Sequence, residues 1–437
     1  MKTLKNANNK YLRARMNLLI RQATILDPAA PPHNQPTDLL IQNGIIAAIR
    51  PNIDTSFDQE IRAAGLYVSP GWVDVFAHFD DPGFEYKETL ETGSAAAAAG
   101  GFTDVFLLPN TSPFVHNKAA VEYLVQRNKI LPVTLHPIGG VTKNGEGKDL
   151  AEMYDMHHSG AVAFSDGLNA IQSSGLLVKA LQYLKAIDAT LIQVPDDRSL
   201  NSQGLMNEGV ISTTLGLPGK PALAEELMIA RDIELAKYAG SKIHFTGVST
   251  AKSIALIKKA KAEGIAVSCS VTPYHLFFCD EDLKNYDTNL KVTPPLRTAA
   301  DRQALRDAVL DGTVDCIASH HLPQNKDEKV VEFEYASNGM IGLQTAFAVV
   351  NTALPQLAPE RIVELFSTNA RRIFGLPLSS IREGELASFT LFQKSISWTF
   401  NEITNRSKSR NTPFFDTALT GRPFGTIHKG SVLLNEQ

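Results

Sequence analysis

Cysteine is scarce in this chain. Cys269, Cys279 and Cys316 are the three among 437 residues, and no two are spaced as a Cys-x-x-Cys pair. That excludes a disulfide framework and a thiolate metal pair, and it leaves reduced thiols of the kind a cytoplasmic protein carries. Long apolar runs are also missing. None approaches the roughly 20 residues of a membrane span, and Ala95 to Ala99 only fills a helix. Charge of one sign is not in excess: the formal net is −4, which gives no ground for nucleic acid or a membrane surface as partner. The first fifteen residues hold no acid, and they lack the apolar core of an export signal. They are read as a disordered extension, with Met16 as an alternative start. There is no internal repeat and no low-complexity segment.

What is present describes a globular protein with one large domain and a smaller one: 43% hydrophobic and 20% charged residues over a length that can bury a sizeable core. The stretch from Gly71 to Pro113 organises the rest. Trp72 to Phe76 is short and β-rich, and it leads into the polar run His78-Phe79-Asp80-Asp81. Glu88 to Ala99 favours helix and is stopped by Gly100-Gly101. Thr103 to Leu108 is apolar again and ends at Pro109-Asn110-Thr111. Polar groups gathered after successive parallel strands are what an α/β barrel presents at its catalytic face.

Six further short apolar runs continue the alternation with helical patterns: Val133–Ile138, Ala161–Phe164, Thr190–Val194, Lys242–Thr246, Ala266–Val271 and Val314–Ala318. Eight strand–helix repeats argue for a (β/α)8 barrel, and pattern alone leaves a doubly wound open sheet as the alternative. Ahead of them, Leu18 to Arg21, Asp38 to Ile41 and Ile45 to Ile49 read as strands, the last two joined through the hairpin signal Asn43-Gly44. Phe389 to Phe392 and Gly430 to Leu434 are strand candidates at the other end.

Gly71 to Pro113 resembles the opening of the class I dihydroorotases, metal-dependent amidohydrolases. In that family the first barrel strand ends Asp-x-His-x-His-x-Arg-Glu-Pro-Gly and the second ends Pro-Asn-Thr. Asp74, His78, Pro82-Gly83 and Pro109-Asn110-Thr111 match. Likeness continues through Ala163 to Asp166, Thr213 to Leu217, Val271 to Leu276, Pro294 to Arg297 and Ser407 to Phe414, so it covers nearly the whole chain after Met16. The resemblance implies a barrel over 69–374 and a composite β-sandwich of 16–68 with 375–437. It decides against the open sheet.

Hydrolysing or closing a cyclic amide needs an activated water and a polarised carbonyl, and bound zinc supplies both through histidine and carboxylate ligands. Set on this chain, the resemblance implies a damaged site. Phe76 replaces the first histidine, Val194 the strand-five histidine and Gly247 a strand-six ligand. His320 stands at the position of the aspartate that is both ligand and general base. Asp80 replaces the arginine that pairs with the substrate carboxylate, Gln324 a histidine and Thr293 an asparagine. Asn110 remains as a substrate contact, and His78 and Asp166 remain as vestigial metal ligands. Each has a plainer reading: His78 as a packed histidine, Asp166 as a turn residue, His244 and His321 as hydrogen-bonded structural histidines, His157-His158 as a solvated face, Asp196-Asp197 as a helix start.

The main expectation is therefore a non-catalytic, dihydroorotase-like protein of pyrimidine biosynthesis with no cofactor. By resemblance it would be a structural partner of aspartate carbamoyltransferase and a homodimer, without nucleic-acid or membrane partners. The alternative is an active dihydroorotase or other cyclic-amide hydrolase with one zinc ion held by His78, Asp166, His320 and His321. A third reading is a ligand sensor that uses the barrel mouth without chemistry.

Overall fold

The computed structural model describes residues 17–30 and 33–435, and the N-terminal extension lies outside them. Eight strands form one parallel sheet in chain order: Trp72–Ala77, Phe102–Leu107, Thr134–Gly139, Ala163–Phe164, Thr190–Gln193, Ile243–Phe245, Val267–Val271 and Cys316–Ile317. All eight fall on the apolar runs singled out above. The eighth returns to the first through the His78 amide, which donates to the His321 carbonyl at 2.9 Å, and through a parallel bridge between Ala77 and His321. The barrel is thus nearly closed. The strands are buried on both faces, which is why they read as continuous apolar runs without alternation.

Helices wrap the outside, and their ends follow local chemistry. Thr89 caps Leu90–Ala99 by accepting from the Thr92 amide, so this helix starts after Glu88 and frees that carboxylate for other work. Gly240 ends Leu223–Ala239 in the left-handed conformation that a glycine reaches without a Cβ penalty. Asp196-Asp197 does not start a helix. Asp197 Oδ1 accepts from the amide and hydroxyl of Ser199, so the carboxylate closes a local turn. No helix among the described residues is long and apolar enough to cross a membrane.

The two chain ends meet in a second eight-stranded sheet beside the barrel. Asn17–Ile25 pairs antiparallel with Pro36–Gln42, and that strand with Ile45–Arg50 through Asn43-Gly44. Both turn residues have positive φ, as a two-residue hairpin requires. On its other edge Asn17–Ile25 pairs first with Gln59–Arg62 and then, past the bulge at Gln22, with Leu66–Pro70. Phe389–Thr399 pairs with Leu66–Pro70, and Ala418–His428 and Ser431–Leu434 complete the order. A core of its own, with Leu18, Ile20, Leu39, Val68, Phe389 and Leu391, packs this sheet.

Candidate functional site

The C-terminal ends of the barrel strands carry Phe76, His78, Asp166, Val194, Gly247 and His320, the positions that the resemblance assigns to chemistry. Phe76 is fully buried, and its ring lies 4.5 Å from that of His320 at 33°. His320 Nε2 is 2.8 Å from Thr246 Oγ1. From there a buried polar chain runs through Ser270 to His244 and Ser268, with links of 2.8, 3.0 and 2.8 Å. Taken from Ser268 toward His320, the hydroxyls of Ser270 and Thr246 each accept one hydrogen and donate one, so His244 is bonded on both nitrogens and His320 accepts at Nε2, as neutral rings do. Burial pushes His320 down to about 3, helped by the neighbouring His275 and His244, and pushes His244 to about 3 as well.

Gly247 belongs to the same filling. It has φ of +69°, and a Cβ there would lie 2.7 Å from His320 Cε1 and 3.2 Å from Pro294 Cδ. The imidazole occupies the space that a larger strand-six residue would need, so positions 247 and 320 share one volume. Val194 packs in an apolar cluster with Phe76, Leu108 and Ile192. What remains among Phe76, His78, Tyr274, Thr293 and His320 is a hollow of about 10 Å³, close to the room one water needs.

The remaining candidates are spent on the protein itself. Asp166 Oδ1 accepts from the amides of Val141 and Thr142 at 2.9 and 2.8 Å, and Oδ2 accepts from the Thr142 hydroxyl at 2.6 Å. Burial raises its pKa against those bonds. His78 Nε2 donates to the Asn110 carbonyl at 2.9 Å, and Nδ1 lies 2.8 Å from Asp80 Oδ1, off the ring's hydrogen-bonding direction. The Asn110 amide holds the 166–168 turn, donating to the Asp166 carbonyl and accepting from the Leu168 amide. Gly167 permits this approach, since a Cβ would sit 1.7 Å from Asn110 Oδ1.

His321 also borders the strand-end hollow, but both its ring nitrogens are engaged elsewhere. Its Nδ1 accepts from the Gly342 amide at 3.2 Å, which leaves Nε2 to donate toward Glu88 Oε2 at 3.4 Å. Glu88 is the residue that sequence reasoning missed. It is fully buried, and it also accepts from Thr92, from the Ser407 hydroxyl and from the Lys408 amide. Burial would raise its pKa, but the hydrogen bonds from His321, Ser407 and Thr92 hold it below the ordinary value. Its partner stretch, Ser407 to Phe414, is one of those that carry the resemblance, but a contact between such distant positions has no local signal. Asp74 likewise closes the barrel, accepting from the Ser319 amide and hydroxyl at 2.6 and 2.8 Å, with burial pushing its pKa up to about 7.

Among the described residues no three or more histidine, cysteine, aspartate or glutamate side chains are grouped to hold a metal ion. The donor set does not fit the zinc centre that the resemblance implies: one strand end is a phenyl ring, another an isopropyl group and a third a glycine. His78, Asp166, His320 and His321 do not converge on one point either, because each is committed to a different neighbour.

The model of the Dihydro-orotase-like family matches residues 65–253. A protein of Pelotomaculum thermopropionicum named Dihydroorotase is 41% identical over 425 residues, covering 97% of this chain and 99% of its own length. Another of that name from Syntrophus aciditrophicus is 40% identical, covering 96% of this chain and 100% of its own. The chain belongs to the dihydroorotase family. Its fold is also that of the L-hydantoinase (dihydropyrimidinase) from Arthrobacter aurescens, with a TM-score of 0.84 at 24% identity over 97% of both chains. A D-hydantoinase (dihydropyrimidinase) from a Thermus species gives 0.80 at 20% identity over 96% of both. Within the dihydroorotase family, then, this chain keeps the barrel and the composite sheet, and it fills the strand ends with Phe76, Val194 and His320.

Above that filling the mouth is open. A cleft of about 600 Å³ is bordered by His78, Asp80, Lys87, Arg198, Lys220 and Gln324, among others. Lys87 pairs with Glu328 at 2.8 Å and bonds Gln324 at 2.8 Å, and Lys220 pairs with Asp196 at 2.6 Å.

Proposed function

We propose that this chain is a dihydroorotase-family barrel whose metal-held chemistry has been replaced by packing. In this reading it serves pyrimidine biosynthesis in the cytoplasm as a non-catalytic structural partner of aspartate carbamoyltransferase, itself a homodimer. The observation that carries the reading is the Phe76–His320 stack with His320 Nε2 tied to Thr246. A phenyl ring offers no ligand, and a neutral imidazole with Nε2 engaged supplies neither the negative charge nor the proton acceptor that activates a water.

A second reading is favoured by the names of the relatives, which speak for hydrolysis more than for a non-catalytic partner. In it the protein is an active dihydroorotase, or another cyclic-amide hydrolase, with one zinc held by His78, Asp166, His320 and His321. That requires His320 to leave Thr246 and Asp166 to give up three hydrogen bonds, so the mouth would have to repack on metal binding.

One experiment separates the two. Purified protein is incubated with zinc, dialysed and analysed for bound metal, and then assayed with dihydroorotate and, in the reverse direction, with carbamoyl aspartate. The non-catalytic reading expects no retained zinc and no turnover above buffer. Retained zinc with turnover establishes the second reading. Sedimentation of the chain alone and mixed with aspartate carbamoyltransferase tests dimer and partner; failure to co-sediment removes the partnership and leaves the rest.

A further inference from the structure

We propose that the cleft above the filled strand ends is a binding site for a small molecule with a cationic nitrogen head, an ammonium or amidinium, and that Asp80 is the residue that receives it. Asp80 is only 2% exposed, yet its Oδ2 has no hydrogen-bond partner. Its neighbour His78 Nδ1 is likewise buried and unbonded. Both residues border the cleft of about 600 Å³. A buried carboxylate oxygen left without a donor is rare and costly in a folded protein, because the desolvation of the charge is not offset. Asp74, Glu88 and Asp166 each take bonds on both oxygens. Glu328 Oε2 also lacks a hydrogen bond, but it lies 2.8 Å from Lys87 Nζ. Asp80 borders the cleft with its open oxygen just beneath the surface and no such cation beside it.

The sign of the ligand follows from the charges nearest Asp80. The lysines of the cleft are already neutralised, Lys87 by Glu328 and Lys220 by Asp196, and Arg198, at the exposed rim, is bonded to Asn169 and the Leu168 carbonyl. No lysine or arginine lies within ion-pairing distance of Asp80 among the described residues; its partner there is His78. The missing element is therefore a donor of positive charge, brought from outside. The backbone supports the assignment: Asp80 has φ of +58°, a conformation in which aspartate and asparagine are enriched and bulkier residues strained. The turn thus holds the carboxylate toward the cleft at a modest cost. Charge-assisted N–H···O bonds are the strong kind, and an amidinium can give a carboxylate two of them.

The inference rests on the reading that this mouth does not take a substrate carboxylate at position 80, and the two fail separately. Turnover of dihydroorotate overturns that reading, whereas the following test concerns Asp80 alone. Benzamidine and benzoate share a ring and differ in the sign of the head. Ligand-observed NMR titration of the full chain should show benzamidine binding at millimolar concentration and benzoate binding at least about tenfold more weakly. Asp80→Asn keeps the size and the left-handed backbone, and should weaken benzamidine by about tenfold without lowering the circular dichroism melt. Equal binding of the two probes overturns the proposal, as does no benzamidine binding up to saturation of its solubility, or benzamidine binding that survives Asp80→Asn. Should the variant fail to fold, the comparison of the two probes on the native chain decides alone.

Discussion

The two levels of the barrel mouth were built under opposite rules. At the strand ends, a hollow of about 10 Å³ is all that remains beside Phe76, Tyr274, Thr293 and His320, and a continuous hydrogen-bonded chain runs from His320 to Ser268. One step outward, a cleft of about 600 Å³ holds a buried carboxylate oxygen with no partner. The inner level has the economy of a protein core, in which close packing and full hydrogen bonding bring stability. The outer level has kept what a core eliminates: open volume and an unmet charge. Where one level of a pocket is packed and the next is open, the difference shows which part is free to meet a ligand.

The sharpest way to break this comparison is to empty the inner level. Phe76→Ala should cost about 3–5 kcal/mol of unfolding free energy, the range for a fully buried phenylalanine, read by urea titration. Phe84→Ala, at the half-buried edge of the cleft, should cost less than about 1 kcal/mol. If the two variants lose the same amount, the inner level is not a core.

Next in size is the claim that residues 247 and 320 form one filling. Gly247→Ala introduces a Cβ against His320 and strains a left-handed backbone, so it should destabilise by about 2 kcal/mol. In the His320→Ala background part of that cost should vanish, with a coupling on the order of 1 kcal/mol in a double-mutant cycle. Additive losses would show that the two positions changed independently.

The neutral imidazoles predict a pH dependence. His320 and His244 sit at about 3 in the folded chain, against about 6.5 when unfolded. Between those values the unfolded state binds more protons, so stability is fully present above pH ~6.5 and is lost as pH falls toward ~3, at about 1 kcal/mol per pH unit for each group. Asp74 acts in the opposite sense, since its raised pKa of about 7 makes stability fall as pH rises from ~4 to ~7. The comparison of native protein with His320→Gln isolates the histidine: the variant's melting temperature should fall less steeply between pH 6 and 4. Parallel curves would place a charge on His320 in the folded state.

The smallest expected effect is none at all. Phe76→His combined with Asp80→Arg restores the first-strand motif yet should yield no dihydroorotate hydrolysis, because Val194 and Gly247 still offer no ligand and His320 still lies where the proton acceptor belongs. Turnover by this variant would show that the strand-end filling is a lid over a competent site.

Much of this architecture is legible in the chain. The eight barrel strands can be placed because strands buried on both sides are uniformly apolar, and Asn43-Gly44 marks its hairpin because two positive φ angles demand such residues. That Phe76, Val194 and Gly247 offer no metal ligand is legible because no side-chain chemistry turns them into one. Contacts between distant positions are not visible. The Phe76–His320 stack, the collision that keeps Gly247 small, and the work of Glu88 on Ser407 and His321 all depend on which strand ends meet. Asp196-Asp197 misleads for a related reason: acidic residues cap turns as readily as helices, and here Ser199 takes the carboxylate.

The sheet that joins the two chain ends has a consequence for birth on the ribosome. Leu66–Pro70 leaves the tunnel early, but its partner Phe389–Gln393 and the Ser407–Lys408 anchor of Glu88 are among the last residues made. Until they emerge the nascent chain therefore carries a strand with an open edge and an acid, Glu88, still without its Ser407 and Lys408 donors. Such long-range pairings form late and leave intermediates exposed to aggregation. A chain that stalls before residue 389 has no way to cover that edge, and it is at this stage that a chaperone would have the most to protect.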